Sequence, residues 1–449
     1  MKLSVVGTGY VGLVSGVCLA ELGHEVICVD IDPDKVAMIN SGKPPIHEIG
    51  LPGLLEKNAG KRLVATTDLE MAVMETEISL IAVGTPFDGE RIDLKFIRAA
   101  ASQIGEILRN KSDWHTVVVK STVVPGTTDG TVLQALENTS GKKATIGFGV
   151  GMNPEFLKEG EAVADFMHPD RIVIGGTDDR TLDAMAQLYD VFPNVQKIRT
   201  NCRTAEMIKY TANSLLATMI SFSNEIGNLC AATPGVDVTD VMKGVHADKR
   251  LTPILPDGNR VRPGFVSYLE AGCGFGGSCF PKDVKALAAH GRAHDVPMKI
   301  LEAVLEVNAR QPEQMIQLLQ SNFREVAGLN IAVLGLAFKP GTDDIRESPA
   351  IPVIDRLLAE KAHVRAYDPI AAPAMRSHFP DEKVNYCHTL EDAISGTDAV
   401  MLMTRWNDFM TLPDLMREKN PSALLIDGRR FLEHDSVQRY SGIGIGPRP

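Results

Sequence analysis

Short apolar runs punctuate the first part of the chain: Leu3–Val6, Val26–Val29, Leu80–Val83, Thr116–Val119, Ile146–Val150 and Ile172–Ile174. Runs this short, separated by stretches of helical spacing, predict buried strands of a parallel α/β sheet. From Arg203 to about Thr233 the pattern changes to AEMIKYTANSLLATMISFSNEIGNLCAA, with apolar residues at helical spacing and no Pro or Gly before Gly227. One long helix is expected there. Further helices are expected over Asp283–His290 and Met298–Ala309, and a loop over the proline-rich stretch Pro253–Pro263. A second α/β rhythm begins near Asn330, with strands expected at Ile331–Leu334, Val364–Tyr367, Ala399–Met403 and Ala423–Ile426. The Gly- and Pro-rich tail, Ser441–Pro449, is expected to be mobile.

The two rhythms echo each other. Leu19-Ala20-Glu21 leads through a strand to Asp32-Pro33, and Leu358-Ala359-Glu360 leads through a strand to Asp368-Pro369. The echo is either an internal duplication or the shared grammar of βαβ units. The fold class expected is α/β: two Rossmann-like parallel-sheet domains joined by a central helical domain that carries the long helix. At 449 residues the chain exceeds one ordinary core, and about 150 residues per domain suggests about three. The divisions expected are 1–199, 200–310 and 311–449.

Composition narrows the partners. The chain is 44% hydrophobic and 23% charged, and no apolar run approaches the roughly 20 residues that span a bilayer. The N-terminus passes straight into a strand without the pattern of a signal peptide, so a cytoplasmic protein with no membrane partner is expected. A net charge of -11 disfavours nucleic acid as a partner. The seven cysteines, Cys18, Cys28, Cys202, Cys230, Cys273, Cys279 and Cys387, are odd in number and form no CxxC pair. That argues against a metal site and a disulfide framework, and most should be buried thiols.

Gly7-Thr8-Gly9-Tyr10-Val11-Gly12 follows an expected strand and opens an expected helix. Backbone amides at that helix N-terminus can hold a pyrophosphate. The next strand ends at Asp30, where a carboxylate can accept both hydroxyls of an adenosine ribose. Asp30 and Asp32 would repel a 2′-phosphate, so NAD is favoured over NADP; the alternative is that the glycines only make a tight turn. The corresponding turn of the second sheet, Gly335 to Gly341, lacks this fingerprint, and Pro340 removes an amide. Lys339 and Arg346 there suit a nucleotide diphosphate, or else an ordinary solvated surface.

Gly274-Phe275-Gly276-Gly277-Ser278-Cys279-Phe280-Pro281-Lys282-Asp283 joins a flexible turn, a thiol and a helix start. Pro281 places Cys279 at a helix N-terminus, where amides and Lys282 favour thiolate. The neighbouring glycines argue for close backbone approach to something, whereas a buried structural cysteine is the bland alternative. A thiolate working with NAD suggests aldehyde capture as a thiohemiacetal, oxidation to a thioester and release of an acid by water. Lys209 and Asn213 stand four apart on the long helix and offer a cation and an amide to a developing oxyanion; alone they could be a solvated stripe. Glu155 and Glu159 have the same spacing, and either could move protons, or both could be exposed.

Together these residues resemble the UDP-glucose/GDP-mannose dehydrogenase family from Met1 to about Phe431. The matching runs are Gly7 to Gly12, Val83-Gly84-Thr85-Pro86, Lys120-Ser121-Thr122-Val123, Asn153-Pro154-Glu155-Phe156-Leu157 and Lys209-Tyr210-Thr211-Ala212-Asn213. Further matches are Gly276 to Cys279, Gly335 to Lys339, Thr342 to Ser348 and Asp427-Gly428-Arg429. The resemblance implies an N-terminal NAD domain, a helical dimer-forming middle, a C-terminal domain for the nucleotide of the sugar, and active sites between domains. It makes Cys279 the nucleophile and Lys209 and Asn213 the oxyanion holders. Asp283 and Thr122 would position water, and Glu155 would move protons. NAD contacts would come from the glycine turn with Tyr10 and Val11, and from Asp30, Lys35, Thr85, Ser121, Thr122, Glu159, Lys282 and Arg346. Besides Glu155, Lys209 and Asn213, the substrate site would use Phe156, Leu157, Lys158, Arg250, Phe275, Gly276, Phe338, Lys339 and Arg429. Arg250 would reach across from a partner subunit of a homodimer or larger homo-oligomer.

The form Cys279-Phe280-Pro281-Lys282-Asp283, with Ser278 before the cysteine, is most similar to members acting on UDP-glucose. GDP-mannose and UDP-N-acetylhexosamines are the alternatives. The chain departs from the family's pattern in a longer stretch from Arg250 to Gly274, in His47 and Ile49, and in Cys273, a second thiol that could trap Cys279 as a disulfide. Two rivals are a two-electron hydroxyacid dehydrogenase, which leaves Cys279 and the second sheet without a role, and a nonenzymatic nucleotide-sugar sensor.

Overall fold

The computed structural model describes residues 1–447, which form two compact units, Met1–Ala212 and the chain from Asn213 onward. The first unit is built on eight strands: β1 Lys2–Val6, β2 Glu25–Val29, β3 Leu63–Thr66, β4 Ile78–Ile81, β5 Thr116–Val119, β6 Gly149–Met152, β7 Arg171–Gly176 and β8 Gln196–Thr200. Their order in the sheet is β3-β2-β1-β4-β5-β6-β7-β8. Pairing is parallel throughout, except that β7 meets β6 antiparallel through Gly151 opposite Gly176 and Met152 opposite Gly175. Glycine suits that junction, because a Cβ on Gly175 would stand 2.7 Å from the Asn201 carbonyl and one on Gly151 only 3.0 Å from the Gly175 carbonyl. One face of the sheet packs Leu3, Val5, Val26 and Leu80 against Leu13, Val14 and Val17 of the helix Tyr10–Glu21. The other packs Val6, Ile81, Val117 and Val119 against Ile97, Ala101 and Ile104 of the helix Lys95–Leu108.

Within the second unit the strands are β9 Asn330–Leu334, β10 His363–Tyr367, β11 Val384–Tyr386, β12 Ala399–Leu402, β13 Leu424–Asp427 and β14 Tyr440–Gly442. Their order, β11-β10-β9-β12-β13-β14, is all parallel and repeats the order of the first six strands of the other sheet. The local bonding repeats as well. Gly7 donates to the Val29 carbonyl at 2.8 Å, and Gly335 donates to the Tyr367 carbonyl at 2.8 Å. Asp30 accepts from the Thr8 amide at 2.9 Å, and Asp368 accepts from the Leu336 amide at 2.7 Å. Asp368 therefore stands where Asp30 stands, which corrects the sequence echo that had paired it with Asp32. Asp368 also takes bonds from Ala337, Ile370, Ala371 and the Trp406 indole, so its oxygens are spent inside the fold.

The long helix is Cys202–Ala232, and the division between the units falls within it. The helix expected to end at Ala309 continues from Lys299 to Asn322 through Pro312. An interior proline costs about 3 kcal/mol, and full burial of Met315, Ile316 and Leu319 offsets it. The expected mobile tail is a correction: β14 pairs with β13, Val238 donates to the Gly444 carbonyl at 2.9 Å, and Gly446 donates to Val236 at 2.8 Å. A Cβ on Gly446 would lie 2.0 Å from the Thr233 carbonyl, so its glycine serves close packing rather than freedom. Residues 448–449 of that tail lie outside the described residues. Among the described residues, no helix is long and apolar enough to cross a membrane.

Candidate functional site

At the end of β1 the chain turns through Gly7, at φ 98°, and enters the helix Tyr10–Glu21 at once. A Cβ on Gly12 would sit 1.9 Å from the Gly7 carbonyl, so only glycine lets this helix seat on its turn. At Gly9 the same construction meets no heavy atom within 4 Å. That open space faces a helix start with no side-chain cap and no acidic residue in its first turn. A pyrophosphate fits there, and a side chain at position 9 would fill its place. Asp30 is held by the Thr8 amide and hydroxyl, at 2.9 and 2.5 Å, and by the Asp32 amide at 3.1 Å. Burial opposes its charge, but these bonds, with Lys35 nearby, hold the carboxyl below the usual carboxylate range. The residues present thus suit NAD.

The neighbouring expected contacts are built into the scaffold in different ways. The Thr85 hydroxyl donates to the Thr122 carbonyl at 2.8 Å, and the Ser121 hydroxyl to the Val83 carbonyl at 2.7 Å, tying the ends of β4 and β5 together. Half-buried Val11 lies in the first turn of the helix Tyr10–Glu21. The Tyr10 hydroxyl donates to Glu48 and accepts from the Gly160 amide at 3.0 Å. Glu48, 2% exposed, also takes the Gly160 and Ala162 amides at 2.7 and 2.8 Å. This carboxylate, placed between the unusual His47 and Ile49, fixes the loop that carries half-buried Glu159.

Beyond β6, the turn Asn153-Pro154-Glu155 carries the charged centre of the first unit. Glu155 Oε1 lies 2.8 Å from Lys209 Nζ, with both side chains 4% exposed, which removes the exposed-glutamate and solvated-stripe alternatives. Burial opposes ionisation of Glu155, but Lys209 outweighs it, helped by the Leu157 amide at 2.6 Å, and its pKa falls. The Phe156 ring has the Arg171 guanidinium 3.8 Å and the Lys209 ammonium 5.5 Å from its centroid. Exposed Lys158 pairs instead with Glu161 and, at 3.4 Å, with Asp165. Sequence reasoning gave no role to Lys120, which is 3% exposed and donates to Asn153 Oδ1 at 3.0 Å. Its signal was a lysine directly continuing the three valines that end the buried strand Thr116–Val119.

In the second unit, Cys279 is the N-cap residue of the helix Phe280–Ala293, with Pro281 in the first turn. Its thiol lies 3.6 Å from the Ser278 hydroxyl. Asp283, fully buried, accepts from Asn213 Nδ2 at 2.6 Å and from Lys282 Nζ at 2.6 Å. Lys282 thus turns its ammonium to Asp283. The partner of the close glycine approach is the chain itself: a Cβ on Gly276 would lie 2.1 Å from the Glu347 carbonyl, and one on Gly277 would lie 2.7 Å from the Phe338 ring. Phe275 is clamped by Asn308 through both its amide and its carbonyl, at 2.8 and 3.0 Å. Lys339 lies over the Phe338 ring at 5.8 Å.

Three expected substrate or cofactor arginines make bonds within this unit. Arg429 donates to the Met403 and Gly274 carbonyls at 2.6 and 2.8 Å, bracing the glycine loop. Arg346 pairs with Asp344 at 2.7 Å. Arg250, 85% exposed, lies against Asp248. The longer segment that follows folds back, with Arg260 donating to the Ala247 carbonyl at 2.6 Å and Arg262 pairing with Glu270 at 2.9 Å. Cys18, Cys28, Cys202, Cys230 and Cys273 are buried, while Cys279 and Cys387 keep partial exposure. Burial pushes Cys18, Cys28 and Cys202 up to about 12, and pushes Cys273 up as well. Cys273 is therefore a poor thiolate for trapping Cys279 as a disulfide.

Residues 1–193 match the model of the UDP-glucose/GDP-mannose dehydrogenase family, NAD binding domain. Residues 203–310 match the family's central domain, and residues 332–434 its UDP binding domain. The chain is 43% identical over 451 residues to the UDP-glucose 6-dehydrogenase AglM of Haloferax volcanii, covering 99% of this chain and 100% of that protein. It is 41% identical over 452 residues to the UDP-glucose 6-dehydrogenase TuaD of Bacillus subtilis, covering 99% and 93%. Its fold is similar to that of a solved UDP-glucose dehydrogenase from Pyrobaculum islandicum, with a TM-score of 0.89, 38% identity, and 99% and 97% of the two chains covered.

Proposed function

The chain belongs to the UDP-glucose/GDP-mannose dehydrogenase family of NAD-dependent nucleotide-sugar enzymes, and on that premise we propose that it oxidises the C6 alcohol of UDP-glucose to a carboxylate through a thioester on Cys279. The observation that carries this reading is Cys279 itself, a partly exposed thiol at the N-cap of a helix whose first turn carries the buried carboxylate Asp283. Five of the other six cysteines are buried.

When bound on the Gly7–Gly12 turn and Asp30, NAD supplies the two-electron acceptor for each of two oxidations. Cys279 sulfur adds to the aldehyde carbon left by the first, the second converts the thiohemiacetal to a thioester, and water releases the acid and the thiol. Lys209 and Asn213 hold the oxyanion, Asp283 and Thr122 place the water, and Glu155 moves protons. The functional division is 1–199 for NAD, 200–310 for dimerisation and 311–449 for the UDP moiety. The enzyme works in the cytoplasm as a homodimer or larger homo-oligomer.

NADH counting with UDP-glucose, GDP-mannose and UDP-N-acetylhexosamines tests the reading. Two NADH per UDP-glucose, with UDP-glucose preferred, is the expected result. Preference for GDP-mannose would overturn the substrate, one NADH per sugar would overturn the thioester, and none with any sugar would point to a sensor.

A further inference from the structure

Lys120 is a side chain that the proposed chemistry leaves without a task. It continues the buried strand Thr116–Val119 into the interior, 3% exposed, with Nζ 3.0 Å from Asn153 Oδ1 and 5.9 Å from the centroid of Phe166. The orientation of Asn153 is fixed, because its Nδ2 donates to the Val173 carbonyl at 2.8 Å and its Oδ1 also accepts from Tyr189 at 2.5 Å. Lys120 therefore grips the residue two before Glu155, whose carboxylate pairs with Lys209 at 2.8 Å. Burying an ammonium costs several kcal/mol, and a methionine would fill the same space at no such cost.

We propose that Lys120 is a positioning residue of the reaction, holding Glu155 through Asn153 and giving the buried cluster of Lys120, Glu155 and Lys209 a net positive charge. The inference rests on the function proposed above. With Lys209 and Glu155 alone the pair is neutral, so the pull of Lys209 on a forming oxyanion is opposed by Glu155. A second ammonium restores an excess of positive charge in a site that water does not screen.

The charged groups acting on Lys120 are Glu155, after β6, and Lys209, on the long helix; the Tyr189 hydroxyl shares its acceptor. Burial pushes its pKa down to about 8, with Lys209 adding to the shift and Glu155 opposing it. The charge is present below that pH and disappears as pH rises through it. NADH production from UDP-glucose should therefore show a falling limb in kcat near pH 8. Lys120→Met should lose about 100-fold in kcat at pH 7, the lower end of the loss when an oxyanion donor is removed, and should lack that limb. Lys120→Arg, which keeps its charge, should recover part of kcat and move the limb upward.

A wild-type enzyme flat through pH 8, or a Lys120→Met enzyme retaining the wild-type kcat and limb, would overturn the proposal. Equal damage from Met and Arg with an unchanged limb would mark Lys120 as merely structural and overturn it too. Should the Met variant fail to fold, the wild-type and Arg profiles still decide. The underlying function fails separately, when wild-type enzyme makes no NADH from any nucleotide sugar.

Discussion

Cys279→Ser is expected to lower acid formation from UDP-glucose by about 10³-fold or more, in the range seen when a nucleophile is removed. A serine hydroxyl at this position lacks the acidity of a thiol, so it forms the adduct slowly and leaves it poorly. NADH yield should fall from two per sugar toward one, because only the oxidation preceding capture keeps its machinery. NAD binding should be unchanged, since Gly7, Gly9, Gly12 and Asp30 belong to the other compact unit and their bonds do not involve the substituted residue. Steady-state acid production and an NAD titration check both halves of this result. Undiminished acid would remove Cys279 from the chemistry.

Lys209→Met should be the most destabilising of the site variants. It leaves Glu155, 6% exposed, as a buried carboxylate without its ion-pair partner, and breaking a buried pair from one side costs about 3–5 kcal/mol. The nearby ammonium of Lys120 and the Leu157 amide keep the loss toward the lower end. In the wild type the pair holds the Glu155 pKa down, so its stabilisation is present above the unfolded pKa and is lost as pH falls through the folded value. In the variant, burial raises that pKa, and acidification neutralises the stranded charge. The stability gap between variant and wild type should therefore narrow as pH is lowered from 7 to 5. Adding Glu155→Gln should recover stability but not turnover. Urea unfolding at the two pH values measures this; a gap that widens on acidification would contradict it.

Much of the frame was legible because burial on both faces leaves an uninterrupted apolar run: β1, β5, β9 and β12 fall where their sequences place them. The strands that escaped, β3, β8, β11 and β14, are short or carry outward polar residues, as in Gln196-Lys197-Ile198-Arg199-Thr200, so no such run marks them. Glycine was read wrongly at the tail, because sequence alone does not separate a glycine that frees the backbone from one that lets two backbones touch, as Gly446 does. The same ambiguity hid Phe338 and the Glu347 carbonyl as the partners of Gly276 and Gly277. Lys120 and Glu48 were missed because a buried charge is recognised by its partners, and Asn153 and Gly160 lie far from them in sequence.

A covalent bond between Cys279 and the sugar is open to direct measurement by intact-mass and peptide mapping of acid-quenched wild-type enzyme mixed with UDP-glucose and NAD. The expected result is a UDP-glucuronyl mass on the peptide containing Cys279, formed during turnover and absent from Cys279→Ala. Two NADH per sugar with that peptide unmodified, or the mass carried by another residue, would contradict it.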